Sequence, residues 1–166
     1  FTADEKLAGV MRVLRNHGQT ARYMHSRIGI NGRLDTLQAA VLLAKFDTFV
    51  GREIELRNDV ACRYGNALKS LAESGAIALP TVREYNRSVW AQYSIRVPGK
   101  RDALQAHLQS RGIPTAIHYP RPLSQQEAFA GLGYKAGDFP VSEKTAAEIM
   151  SLPMHPYVTD EEIAYI

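Results

Sequence analysis

Residues 34–50 carry apolar side chains so densely that one buried face cannot account for them. Leu34, Leu37, Val41 and Ala44 share a helical face, with Leu42, Phe46 and Phe49 beside it. A helix of this kind must be covered on more than one side, so it demands a neighbour beyond its own small domain. It is launched from a polar, glycine-flanked loop, Gly29-Ile30-Asn31-Gly32-Arg33-Leu34-Asp35. Gly51 weakens the pattern, and Leu56, Val60, Tyr64, Leu68 and Leu71 resume it up to about residue 75. The spacing predicts one long helix, bent or broken near Gly51.

Ahead of this helix, Leu7, Val10, Met11 and Leu14 fall at amphipathic spacing and predict a helix over residues 3–16, with Arg12 and Arg15 near its carboxyl end and His17-Gly18 as its terminator. Residues 19–27 read as a polar loop. Beyond Gly75 the character changes: residues 77–79 and 89–97 show the short apolar runs and partial alternation of strands. Helices are predicted over 101–111, 125–132, 142–150 and 159–166, with a short strand over 115–118 before a proline-rich turn.

At 166 residues, 45% hydrophobic and 22% charged, the chain is large enough to bury one good core. The formal charge of +3 comes from basic residues scattered among acidic ones, which argues against a nucleic-acid binder and leaves a mild bias toward anionic ligands. A single cysteine, Cys62, excludes an internal disulfide framework and points to a reducing, cytoplasmic setting. No window has the apolar length of a membrane span, and no basic-then-apolar signal opens the chain. Phe1 at one end and a helical run through Ile166 at the other read as cuts in a longer protein. The histidines and Cys62 never form close ligand pairs, so no metal site is assigned; no Walker loop or GxGxxG fingerprint occurs, and no nucleophile motif frames Cys62 or any serine.

Three groups of residues can carry chemistry. Asn31 offers an amide at the mouth of a helix, where free backbone N–H groups and the dipole favour an anion such as phosphate; the competing reading is a helix cap, with Gly29 and Gly32 permitting a tight turn. His118 and Tyr119 end a strand ahead of Pro120, at the rim of a sheet, where an imidazole and a phenol offer hydrogen bonds. The loop residues His17, Arg22 and Tyr23 join a cation to an aromatic ring and suit a sugar or pyrophosphate, with loop anchoring as their alternative. Arg33 and Asp35 read first as structural, setting the turn; His25 and His107 read as exposed, and His155 as packing.

The run GINGRLDTLQAA over residues 29–40, together with Ile-Pro-Thr-Ala-Ile-His-Tyr-Pro over 113–120 and Ser-Leu-Pro-Met-His-Pro over 151–156, resembles the sugar aminotransferases of the DegT/DnrJ/EryC1 family. The resemblance covers nearly the whole chain. It implies the α/β fold of fold-type-I pyridoxal-phosphate-dependent transferases, with residues 1–50 the carboxyl-terminal part of a large cofactor domain and 51–166 a small α+β domain holding a short, mainly antiparallel sheet. It implies pyridoxal 5′-phosphate as cofactor and a homodimer in which Asn31 reaches the phosphate held by the other subunit. It further implies a nucleotide-linked keto sugar near His118 and Tyr119, with contacts from His17, Arg22 and Tyr23, and an amino-acid donor such as glutamate, in amino-sugar or cell-surface polysaccharide synthesis. Ser124 stands where many relatives carry a polar ring or amide. None of Lys6, Lys45, Lys69, Lys100, Lys135 and Lys144 occupies the family's Ser-Phe-x-x-x-Lys setting, so no catalytic residue is assigned here: the reactive lysine is expected upstream of Phe1, and this portion alone is expected to be inactive. A sugar dehydratase on the same scaffold and a non-catalytic dimerisation module are the competing functions.

Overall fold

A computed structural model describes residues 2–166 of the protein, which divide into two compact units, Phe1–Thr48 and Phe49–Ile166. In the first, helix α1 (Glu5–Arg15) starts because the Asp4 carboxylate accepts from the Lys6 and Leu7 amides at 2.8 and 3.0 Å, satisfying donors that the helix itself leaves free. Residues 19–27 are not a plain loop. Strands β1 (Gln19–Ala21) and β2 (Met24–His25) form an antiparallel hairpin. Sequence reasoning missed it because a polar hairpin has no apolar alternation; a two-residue turn at Arg22-Tyr23, with Tyr23 at φ 64°, closes it.

The returning chain packs backbone to backbone on the end of α1. Ile30 donates to the Leu14 carbonyl at 2.9 Å, His17 to that of Ile30 at 2.9 Å, and Gly32 to that of Arg15 at 2.8 Å. The approach is possible only without side chains at two positions: a Cβ on Gly18, at φ 73°, would stand 1.8 Å from the Arg27 carbonyl oxygen, and one on Gly29 would stand 2.2 Å from the Gly18 nitrogen. Helix α2 (Thr36–Thr48) follows. Its apolar side chains are exposed: Leu37 is 80% exposed and Leu43 73%. Among the described residues of this unit only Gly18 is buried.

At Gly51, where the sequence predicts a bend or break, the winding widens into a π-helical turn, Phe49–Glu53, before α3 (Ile54–Ala67). The short helix α4 (Lys69–Glu73) ends the predicted helical stretch. Strand β3 (Tyr93–Arg96) then pairs antiparallel with β4 (Ile149–Leu152), in register from Tyr93 opposite Leu152 to Arg96 opposite Ile149. Single bridges extend the sheet on both sides, Ala78 to Arg96 and Ala116 to Ser151. The strands predicted over 77–79 and 115–118 are thus reduced to one bridge each. The helix predicted over 142–150 is shifted two residues toward the amino end: α6 (Pro140–Glu148), with proline in its first turn, gives way to β4. In place of a helix over 125–132 stand two 3-10 turns, Leu123–Gln125 and Glu127–Leu132.

Helices α5 (Arg101–Ser110) and α7 (Asp160–Tyr165) complete the unit, the latter opened by a reciprocal capping box between Thr159 and Glu162. The core gathers Val60 and Tyr64 of α3, the inner face of β3, and Met150 and Leu152 of β4, with Leu108, Val158 and Ile163 closing it. Tyr64 stacks on Tyr93 at 4.9 Å between ring centroids, and its hydroxyl donates to the Pro153 carbonyl at 2.8 Å. Burial, with the nearby Glu162 charge adding to it, pushes the Tyr64 phenol up to about 12. Around this core, Arg63 donates to the Asp160 carboxylate and the Val158 carbonyl, both at 2.6 Å, tying α3 to the start of α7.

Candidate functional site

Asn31 does not cap α2. Asp35 does, its carboxylate accepting from the Leu37 amide at 2.9 Å. An acid at this position answers the positive end of the helix from within the chain and leaves the Asn31 side chain free of the capping role. A backbone bridge to Asn16 holds Asn31 in place. Its Oδ1 accepts from Arg33 Nε at 3.1 Å. An arginine N–H can only donate, which fixes the oxygen toward Arg33 and turns the Nδ2 hydrogens the other way. Among the described residues nothing accepts from them.

His17 joins the same cluster. Its Nε2 lies 3.4 Å from Arg33 Nη2 and has to be the acceptor, so its proton sits on Nδ1. Its backbone, at φ 59°, presents a carbonyl to His25 Nδ1 at 2.8 Å. His25 is exposed, as expected, but it is not idle: it also meets Gln19 Nε2 at 3.3 Å and so braces the hairpin under His17. Arg22 and Tyr23 stand at the tip of that hairpin. The Arg22 guanidinium lies 5.0 Å from the Tyr23 ring centroid and donates to the phenol oxygen at 3.2 Å. Asn31, His17 and Arg33 are therefore brought together, while Arg22 and Tyr23 form a separate pair. Arg33, read from sequence as structural, orients both of its neighbours.

In the second unit, the bridge between Ala116 and Ser151 lays the 115–118 segment along the free edge of β4. This sets His118 and Tyr119, joined by a cis peptide bond, at one wall of a cleft of about 510 Å³. Arg121, Gln126, Ser142 and Thr145 line the rest, over a floor of Ala146 and Ile149. Such a size suits a small organic ligand. The Tyr119 ring is 72% exposed and meets the His118 ring edge-on at 5.7 Å. His118 is half-buried, and its Nδ1 lies 3.3 Å from Ser151 Oγ, which in turn lies 2.8 Å from Ser94 Oγ on β3. Sequence reasoning missed both serines. The signal was Ser151 alone among apolar neighbours in Ile149-Met150-Ser151-Leu152, but it becomes informative only once that segment is known to be a strand.

These two surfaces suit anions and polar oxygens. An oriented amide beside an arginine offers N–H groups to a phosphate, and a cleft rimmed by imidazole, phenol and guanidinium offers donors to sugar or phosphate oxygens. Among the described residues no group of three or more His, Cys, Asp or Glu side chains is placed to hold a metal ion, and no helix is long and apolar enough to cross a membrane.

The fold is that of a sugar aminotransferase. It superposes with a TM-score of 0.80 on the crystal structure of a DegT/DnrJ/EryC1/StrS aminotransferase from Brucella abortus, 43% identical, covering 99% of this chain and 42% of that one. A Bacillus subtilis structure, NtdA with bound cofactor PMP, gives a TM-score of 0.81 at 27% identity, covering 99% of this chain and 38% of that one. The chain belongs to the DegT/DnrJ/EryC1/StrS aminotransferase family, which it matches over residues 1–166. Among curated relatives it is 45% identical, along its whole length, to the UDP-2-acetamido-2-deoxy-3-oxo-D-glucuronate aminotransferase of Pseudomonas aeruginosa, of which it covers 44%. The chain thus spans less than half the length of that relative. The family and the cofactor-bearing neighbours imply pyridoxal phosphate as the cofactor used in this family.

Proposed function

We propose that residues 1–166 are the carboxyl-terminal part of a pyridoxal-phosphate-dependent aminotransferase that moves an amino group from an amino acid, glutamate in the simplest case, to a nucleotide-linked keto sugar in amino-sugar or polysaccharide synthesis. Residues 1–50 belong to the large cofactor domain and 51–166 to the small one. The enzyme is a cytoplasmic homodimer whose site is shared across a two-fold axis. The uncovered apolar side chains of α2 support the dimer, and the 45%-identical Pseudomonas aminotransferase supports the sugar.

The single observation that carries the reading is the Asn31 amide, oriented by Arg33 and left with its N–H groups unused among the described residues. These groups fit a cofactor phosphate, which Asn31 binds from the partner subunit. Pyridoxal phosphate, when bound, supplies the carbonyl chemistry that carries the amino group. Arg33 holds the amide, and His17 accepts from Arg33 so that the guanidinium stays put. Arg22 and Tyr23 at the hairpin tip, and His118 and Tyr119 at the cleft, contact the nucleotide sugar. None of the six lysines stands in the family's reactive setting, and residues 1–166 alone are expected to be inactive.

The test is Asn31→Ala in the full-length enzyme. Loss of a hydrogen bond to a charged phosphate weakens binding of pyridoxal phosphate about tenfold to a hundredfold, read by calorimetry, while light scattering finds the dimer intact. Unchanged cofactor affinity, with or without loss of the dimer, overturns the role of Asn31; loss of the dimer alone would favour a pure dimerisation module.

A further inference from the structure

Ser151 lines no part of the cleft, yet it is the polar atom behind the histidine that does. It is 4% exposed, sits on a central strand and faces Ser94 directly across the β3–β4 register. Its Oγ lies between Ser94 Oγ at 2.8 Å and His118 Nδ1 at 3.3 Å. Two hydroxyl protons have to be placed in this row. If Ser94 donates to Ser151 and Ser151 donates to His118, both protons have an acceptor. Run the other way, Ser151 donates to Ser94, and the proton of the half-buried Ser94 is left to solvent, without an acceptor among the described residues. The first arrangement leaves no proton on His118 Nδ1, and therefore puts one on Nε2, at the far side of the ring from Ser151.

We infer that Ser151, backed by Ser94, is a positioning residue that presents His118 to the cleft as a hydrogen-bond donor, and that the cleft selects an acceptor oxygen of the nucleotide sugar at Nε2. The inference rests on the reading of this cleft as the nucleotide-sugar site. Without Ser151 the ring is free to rotate or to carry its proton on either nitrogen, and a share of the molecules then presents a lone pair to the ligand in place of an N–H. An acceptor oxygen is repelled by that form. Ser151 thus acts on ligand choice through His118, at a distance from the ligand itself.

The experiment uses the full-length holoenzyme, with UDP-N-acetylglucosamine as the binding probe and nitrogen-15 histidine spectra as the second readout. Ser151→Ala weakens probe binding about fivefold, the scale of one net hydrogen bond, and moves the His118 nitrogen signals from the Nε2–H form to a mixture. Ser151→Thr, which keeps the hydroxyl, restores both. In a His118→Ala background, Ser151→Ala adds nothing, because its effect runs through the ring. Equal effects of Ser151→Ala with and without His118, or unchanged nitrogen signals, overturn the inference while leaving the cleft assignment standing. Failure of the wild-type enzyme to bind the probe, or full binding by His118→Ala, overturns the cleft assignment itself.

Discussion

The two units of this chain hold their shape by different means. Residues 49–166 close a core in which Val60, Tyr64 and Met150 are at most 1% exposed. Residues 2–48 bury nothing but Gly18, and their form comes from backbone hydrogen bonds, two caps and two glycines that let chain segments touch. One unit is stabilised by apolar area removed from water, the other by local geometry. A region built in the second way leaves its apolar face available to whatever covers it, and it is this region that carries Asn31. In the first kind of region, polar groups such as Ser151 are precise because the packed sheet around them allows no alternative.

Substitution in the core gives the largest contrast. Met150→Ala removes a fully buried side chain and is expected to cost about 2–5 kcal/mol, seen in the full-length protein as faster hydrogen exchange throughout residues 49–166 and a lower urea midpoint. Leu43→Ala in α2, equally apolar but 73% exposed in this chain, should leave exchange in residues 49–166 unchanged and instead raise the dissociation constant of the proposed dimer. If Leu43→Ala loosens the core of residues 49–166, the contrast between the two units is wrong.

Gly18→Ala tests the other kind of order. A left-handed backbone and a Cβ 1.8 Å from the Arg27 oxygen force the loop apart, at about 1–3 kcal/mol. The loss should stay local: the His17, Ser26 and Ile30 amides, each bonded across this junction, lose their exchange protection while Tyr93 and Ile95 keep theirs. A global fall in stability of the same size in both units would blur the distinction.

The smallest effect sharpens the account of the core. The Tyr64 phenol titrates near 12 in the folded protein against an ordinary value of 10.0, so the folded state holds its proton more tightly than the unfolded state. Its contribution is fully present below pH 10 and is lost as pH rises through about 12. Tyr64→Phe is expected to cost about 1 kcal/mol at neutral pH, for the lost bond to the Pro153 carbonyl, and to flatten the alkaline fall in stability. An alkaline profile identical to that of the wild type would show that another group, such as Tyr93, whose phenol is also raised by burial, governs it.

Much of this was legible in advance because the signals were local. Leu7, Val10, Met11 and Leu14 ahead of His17-Gly18, and apolar spacing across Gly51, announce helices through residues a turn or two apart. The motifs around Asn31 and His118 likewise pointed to the family that the whole chain matches. The hairpin at 19–25 was invisible because neither of its faces is apolar, and β4 was absorbed into the preceding helix because Ile149-Met150-Ser151-Leu152 suits a buried helix end as well as a strand.

By itself, then, the sequence determined the helices on either side of Gly51, the stretch that is apolar on more than one face, and which family the chain joins, since each follows from side chains within a few positions of one another. Only the tertiary structure decided that β4 pairs with β3, that Arg33 rather than a helix end orients Asn31, and that Ser94 and Ser151 stand behind His118. The serine row depends on residues 57 and 33 positions apart meeting at hydrogen-bond distance. Chain spacing does not encode such meetings; they arise when the whole sheet finds its register.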